Sequence, residues 1–438
     1  MARRRLGLGI LVAVDGLWLA TQGVLRGGAR WAPVLVVVAL HLGLVWAERR
    51  RPTLDPSLVL KAVVLVAAIS VVAPAFGSRD LYLYATYGRM VSEHGLNPHL
   101  VGPGAIPTDP VAALAEPEWA DTPSLYGPFF TLLSTIGSLG FGTSPLLARL
   151  YFQALAGLAL VGGCALLRRR GAASWVLLAV GSSPALLVTV NGGHNDLVAG
   201  FLVLVGIDLV ARHRARSGAC VLAAACLVKV LAGPAVLAVA VALAASGRRR
   251  QAVQVVTIVT GLLLAGYAAV GGRAAASALW SLGDDGSRAS PWSLITGLVA
   301  GDGPSWVGTA SMVVLGVAGT VLVHRAWRGR LGGAELAASL GVVVCFGASY
   351  SLPWYPAVFL LLAASVPGAV AHRALHVGSV ALLLAYVQPP GRLTTDLIGA
   401  PSATIVAALV LVSCVVSTVA DAGRAGEPSL GCQTPRAP

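Results

Sequence analysis

The chain has little charge. Only 11% of its 438 residues are Asp, Glu, Lys or Arg, against roughly 25% in a soluble domain, so an ordinary soluble globular protein is excluded. Lysine is nearly absent: Lys61 and Lys229 stand alone in a chain that otherwise uses Arg. Strand-like alternation is missing from the apolar runs, which excludes a transmembrane barrel. The six cysteines have no metal-like spacing. All but Cys432 lie in apolar runs, which argues against a disulfide framework. No convincing small-residue cleavage site follows Arg3-Arg4-Arg5 and its apolar stretch, so a retained first helix is expected rather than a signal peptide. No internal repeat is obvious.

What remains is 56% hydrophobic, with a mean hydropathy of +0.80. Apolar runs recur along the whole length and approach the ~20 residues that a helix needs to cross a bilayer. The expected fold is an all-α, polytopic transmembrane helical bundle of about 12–14 spans. Spans are placed near 8–25, 31–47, 58–76, 145–167, 173–190, 195–212, 219–231, 234–246, 252–271, 306–324, 333–349, 355–370, 375–388 and 402–420. They form one domain over 1–420.

The net charge of +13 does not point to nucleic acid. The arginines sit in short clusters between apolar runs, as in Arg49-Arg50-Arg51, Arg168-Arg169-Arg170 and Arg248-Arg249-Arg250. That is the positive-inside pattern of cytoplasmic loops. With both termini inside, the outer face receives the long loops 77–124 and 272–305 and most of the acids. The tail 421–438, rich in Gly, Pro and small polar residues, is expected to be disordered in the cytoplasm. Two segments are adjusted to keep this parity. Residues 125–140 are read as an interfacial or half-inserted helix. Residues 219–245 are read as two short helices meeting near Lys229, because Gly233-Pro234 interrupts the run.

Four polar clusters converge on the outer face. In Gly77-Ser78-Arg79-Asp80-Leu81-Tyr82-Leu83-Tyr84 an acid stands where an apolar run ends. It is a candidate base, or a headgroup-layer cap within an aromatic belt. The rest of the first loop carries His94-Gly95-Leu96-Asn97-Pro98, Trp119 and Tyr126-Gly127-Pro128. It reads as a lid whose rings can stack on sugar faces, or as an ordinary ordered loop with Asn-Pro and Gly-Pro turns. Asn191-Gly192-Gly193-His194-Asn195-Asp196 is a tight turn between apolar runs. Ionisable groups at that depth are also functional candidates, but one His beside an amide and a carboxylate is weak evidence for a metal. Lys229 either snorkels to the surface or meets a substrate phosphate as a point charge. A late Pro353-Trp354-Tyr355-Pro356 is an interface anchor or a further site wall. Asp15, inside the first span, suggests only a buried hydrogen-bonding role.

Taken in order, Ser78-Arg79-Asp80-Leu81-Tyr82-Leu83-Tyr84, Gly88, Gly95-Leu96-Asn97-Pro98, Trp119, Tyr126-Gly127-Pro128, Gly192-Gly193-His194-Asn195-Asp196 and Pro353-Trp354-Tyr355 resemble one group. It is the actinobacterial polyprenol-phosphate-mannose-dependent α-1,6-mannosyltransferases, within the GT-C superfamily of membrane glycosyltransferases. The series is more specific for the GT-C class than for the sugar. The resemblance implies a multi-span enzyme with its site on the outer face, a lipid-linked sugar phosphate as donor and an acid of the first long outer loop as base; a single displacement there would invert the anomeric centre, and the expected location is the plasma membrane. By position that acid is Asp80. No large extra soluble domain accompanies the spans, which leaves acceptor recognition to the loops.

The expectation is therefore transfer of mannose from a polyprenyl-phosphate donor to a glycolipid or mannan acceptor. Asp80 would be the base, with Lys229, Arg79 and His194 at the donor phosphate. Tyr82, Tyr84, Asn97, Trp119, Tyr126, Asn195, Asp196, Trp354 and Tyr355 would contact substrate. No cofactor, divalent metal or nucleic-acid partner is expected, and the partners are the two substrates and the bilayer. The alternatives are another lipid-linked sugar (arabinose or glucose), a protein acceptor, or a transporter or flippase. A transporter would place polar groups at the midplane between inverted repeats, whereas here they gather at one face.

Overall fold

The computed structural model describes residues 2–21, 31–281, 287, 289–293, 295, 306–387 and 402–421. Every regular element among them is helical. The first part runs α1 (Ala2–Thr21), α2 (Trp31–Arg50), α3 (Pro56–Val72), α4 (Asp80–Ser92), α5 (Pro128–Phe141) and α6 (Pro145–Arg169). The middle runs α7 (Ser174–Gly181), α8 (Pro184–Asn191), α9 (Asp196–Ala211), α10 (Ala215–Val228), α11 (Gly233–Ala245), α12 (Arg249–Ala269) and α13 (Arg273–Ser281). The last part runs α14 (Trp306–Trp327), α15 (Gly333–Gly347), α16 (Ala357–Ala363), α17 (Val370–Val387) and α18 (Ser402–Asp421).

Proline writes many of the helix starts. It occupies one of the first two positions of α3, α5, α6, α8 and α11, where its missing N–H costs nothing. The expected break in 219–245 is present. Helix α10 stops at Val228, Lys229 is extended (φ −150°, ψ 122°), and Pro234 opens α11 after one 3₁₀ turn.

Among the described residues, four helices are long and apolar enough to cross a bilayer: Ala32–Arg50, Pro145–Arg169, Arg249–Ala269 and Trp306–Trp327. The expected span 173–190 is instead a pair, α7 and α8, bent by 45° at Ser182-Ser183. Several other expected spans, such as 58–76 and 333–349, are helices of 17 and 15 residues. They stop early because Pro, Gly and polar turns interrupt the run before a full bilayer thickness is reached. Helix α5 has 14 residues, about 21 Å at 1.5 Å per residue, too short to cross a ~30 Å core alone. The expected loop 272–305 is described only in part, and the expected tail lies outside the described residues beyond Asp421.

One large apolar core joins the helices, with Phe130, Phe152, Leu187, Phe346 and Phe359 buried in it. Helix α9 packs on α10 and α16, α3 on α6, and α11 on α15. This packing gathers four interhelical breaks: 73–79, 192–195, 229–232 and 348–356. All four contribute residues to a single cavity. Asp15 is buried in α1, and neither carboxylate oxygen finds a partner among the described residues, so the hydrogen-bonding role expected for it has no counterpart there.

Candidate active site

Asp80 is the first residue of α4. Pro74 stops α3, and Gly77 (φ 92°) turns the chain in a conformation that favours glycine. The end of α3 is then held from outside. The Asn191 amide donates to the carbonyls of Ser70, Ala73 and Pro74, and its oxygen accepts from the Phe76 N–H. Gln153 and Arg149 of α6 donate to the Ala73 carbonyl as well. These bonds satisfy carbonyls that a helix end leaves open. They also fix Asp80 relative to the turn at 191–196.

That turn delivers His194 and Asp196. His194 Nδ1 lies 3.6 Å from Asp80 Oδ2, and its ring stacks on Trp354 with centroids 3.8 Å apart and planes 14° apart. Asp196 opens α9 and pairs with Lys229, whose Nζ is 2.7 Å from Oδ1 and 2.8 Å from Oδ2. The ammonium also sits 4.5 Å from the Tyr355 ring centroid, a cation–π contact.

The chain passes Lys229 at Gly127. The Gly127 N–H donates to the Val228 carbonyl at 3.2 Å, and a Cβ at Gly127 would overlap the Leu227 carbonyl. Only glycine allows this approach, and it sets Tyr126 against the site. Tyr126, Tyr84, Phe130 and Phe152 form an edge-to-face cluster around Tyr84, with centroids 4.8–5.6 Å from its ring.

Together these elements enclose a cavity of about 900 Å³, large enough for a sugar phosphate and part of a lipid. Asp80, Arg79, His194, Lys229, Trp119, Tyr126, Trp354 and Tyr355 all line it. The other candidates stand behind the lining. Tyr84 is buried in the aromatic cluster, and Tyr82 packs against the core. Asp196 is buried beneath Lys229. Asn97 donates to the Val270 carbonyl and ties the first long loop to the end of α12. Asn195 is buried, and its amide atoms have no partner among the described residues.

The electrostatics separate the ionisable groups. Burial raises the Asp80 carboxyl to about 6, although the Ser78 hydroxyl and the Lys229 charge pull it down. Burial and the Lys229 charge hold His194 well below its ordinary range, so the ring offers a hydrogen bond rather than a full charge. Arg79 stands 3.7 Å from Glu116 with both side chains substantially exposed, a pair of little energetic weight.

Glu116 and Glu118 also line the cavity and escaped the sequence reading. Their signal was Glu116-Pro117-Glu118 directly before Trp119. A second group was equally hidden. Arg89 Nη2 lies 2.7 Å from Asp109 Oδ2, and His94 Nε2 lies 3.0 Å from the same oxygen. This buried brace holds the first long loop against α4. Among the described residues, no three His, Cys, Asp or Glu side chains are grouped so as to hold a metal ion.

The family described as "Alpha-(1->6)-mannopyranosyltransferase, N-terminal domain" matches residues 6–245. The curated protein "Alpha-(1->6)-mannopyranosyltransferase A" of Mycobacterium tuberculosis is 27% identical over 216 residues. That alignment covers 46% of this chain and 40% of the relative, so the chain matches less than half of the relative's length. No solved structure matches the chain.

Proposed function

Because the chain belongs to the alpha-(1->6)-mannopyranosyltransferase family, we propose that it transfers mannose from a polyprenyl-phosphate donor to a glycolipid or mannan acceptor. The reaction takes place on the extracytoplasmic face of the plasma membrane, with both termini cytoplasmic. The observation that carries this reading is the placement of Asp80, Lys229 and His194 in one aromatic-walled cavity.

The acceptor hydroxyl approaches Asp80. Its oxygen forms a bond to the anomeric carbon as its proton passes to the carboxylate. The bond from that carbon to the phosphate oxygen breaks, and the electron pair leaves with the prenyl phosphate. One displacement inverts the anomeric centre, so a β-linked donor gives an α-mannoside. Base assistance of this kind is worth roughly 10² to 10⁴ in rate. A carboxyl near 6 is ionised at neutral pH and still basic enough to accept a proton.

Lys229 stabilises the charge that develops on the leaving phosphate, as preorganised cations do in a water-poor site. An ammonium has three donors, so it can reach a phosphate while it holds Asp196. Arg79 stands at the same rim. Val230, Leu231 and Pro234 continue the wall beside Lys229, and Val230 is 54% exposed. This apolar strip suits the first isoprene units. Trp119, Tyr126, Trp354 and Tyr355 offer faces for the sugars. A monophosphate leaving group met by protein cations requires no divalent metal, so a chelator leaves the rate unchanged.

The test is to incubate membranes containing the protein with radiolabelled prenyl-phosphate mannose and a mannan acceptor, and to identify the linkage. An α-1,6-mannoside that disappears in Asp80→Asn supports the reading. Transfer only from prenyl-phosphate arabinose or glucose, or only to protein, moves the same site to another substrate. No transfer from any of these donors overturns it.

A further inference from the structure

We propose that His194 is a positioning residue for Asp80, held in place by Trp354 and by the absence of a side chain at Gly192. The inference rests on the proposed transfer reaction and assigns His194 to the base rather than to the donor phosphate.

Three observations fix the ring. Its Nδ1 points at Asp80 Oδ2 from 3.6 Å and has no hydrogen-bond partner among the described residues. Trp354 covers one face at 3.8 Å, nearly parallel. A Cβ at Gly192 would meet His194 Cδ2 and Nε2, both at 2.5 Å. The imidazole is therefore held in a slot closed by the indole and the Gly192 backbone, with 1% of its surface exposed.

A buried, unpaired ring nitrogen is costly. A small closing movement turns the 3.6 Å approach into a hydrogen bond, and sites without substrate often show such bonds long. With the proton on Nδ1, the ring donates to the carboxylate and holds one oxygen still. The other oxygen then faces the acceptor. Burial keeps the ring neutral, so it serves as a fixed donor rather than a competing base.

Other groups also act on Asp80. Ser78 Oγ accepts from the Asp80 backbone N–H at 3.0 Å, and its hydroxyl favours the carboxylate. Lys229, paired with Asp196, pulls the Asp80 carboxyl down, and the charges of Asp196 and Glu116 push it up; Arg79 faces Glu116 at the exposed rim. Tyr84, Tyr87, Tyr126 and Tyr355 are phenols whose ionisation burial opposes. The Asp80 charge opposes their ionisation further, and the test compares variants that leave all of these groups in place.

The experiment measures transfer from prenyl-phosphate mannose against pH and donor concentration in wild type, His194→Phe and His194→Asn. Phenylalanine keeps a dry ring on Trp354 and deletes the donor. Asparagine returns an amide N–H near the position of Nδ1. A donor to the carboxylate favours its charged form, so its loss raises the pH at which Asp80 ionises. His194→Phe should lower kcat by about 10- to 100-fold. It should also move the acid limb of the rate profile to higher pH by about half a unit to one unit, with the KM for donor within about twofold. His194→Asn should recover part of both effects.

A raised donor KM with an unmoved acid limb would overturn the proposal and return His194 to the phosphate. An unchanged kcat and profile in His194→Phe would also overturn it. Should His194→Phe fail to insert, His194→Asn and Trp354→Leu carry the test: Trp354→Leu should shift the acid limb in the same direction, and an unmoved limb in both variants overturns the proposal. If wild type transfers no mannose at all, it is the proposed reaction that fails, and the two failures remain distinct.

Discussion

Lys229 and Asp196 form a buried ion pair: the ammonium lies within 2.8 Å of both carboxylate oxygens, with 12% and 0% of the two side chains exposed. The pair joins the break after α10 to the first turn of α9. It turns Lys229 into a structural residue as well as a candidate phosphate ligand. Removing the lysine alone leaves Asp196 charged and uncompensated, which typically costs about 3–5 kcal/mol. Lys229→Met should therefore lower thermal stability in detergent as well as donor use. Lys229→Met with Asp196→Leu should restore stability but not donor KM, and thermal unfolding followed alongside kinetics separates the two effects.

Asp80→Asn should abolish transfer while making the protein more stable at neutral pH. The folded carboxyl ionises near 6 against an ordinary 3.8. Between those values the folded state binds more protons than the unfolded one, so stability falls as pH rises through that window. The charge that catalysis requires thus costs the fold roughly 1–3 kcal/mol at pH 7, and the amide escapes that cost. Thermal unfolding of both forms at pH 5 and pH 7.5 measures it, and the difference should grow with pH.

The rate of transfer should rise with pH along an acid limb centred near 6, as Asp80 ionises. His194, held well below its ordinary range by burial and Lys229, should add no second limb near neutrality. A pH series of kcat/KM reads this directly.

Gly127→Ala should damage the site from behind the cavity wall. The new methyl would overlap the Leu227 carbonyl, so the segment 126–128 must retreat from α10. Overpacking of this kind costs about 1–3 kcal/mol. Tyr126 would move away from Lys229, and transfer should fall with stability. Both are measurable on purified protein.

Arg89→Leu should loosen the first long loop. Burial alone would raise the Asp109 carboxyl, but bonds from Arg89, His94 and the N–H groups of Val111 and Ala112 hold it well below the usual carboxylate range. Its stabilisation is complete above about pH 4 and is lost as pH falls below that. Without Arg89 a buried carboxylate loses its main partner, at about 3–5 kcal/mol. Limited proteolysis should then cut near residues 100–122 in the variant and spare the wild type.

Low charge, long apolar runs and arginine clusters determined a helical membrane protein from the chain alone, because hydrophobic length and charge act through the local sequence. Pro234 and the glycines at 77 and 192–193 announced the breaks for the same reason, whereas the expected span 58–76 ran through Pro74, where the helix has already ended. The polar clusters at 79–80, 191–196, 229 and 353–355 were equally plain, since ionisable and aromatic groups stand out in an apolar chain. Only the tertiary structure decided which of them meet and what each holds. It gave Asp196 to Lys229, aimed His194 at Asp80 over the face of Trp354, and committed Asn97 to tying a loop. It also recruited Gln153, from an apolar run, to cap α3. Such choices depend on distances between residues far apart in sequence, and no local pattern of side chains encodes those distances.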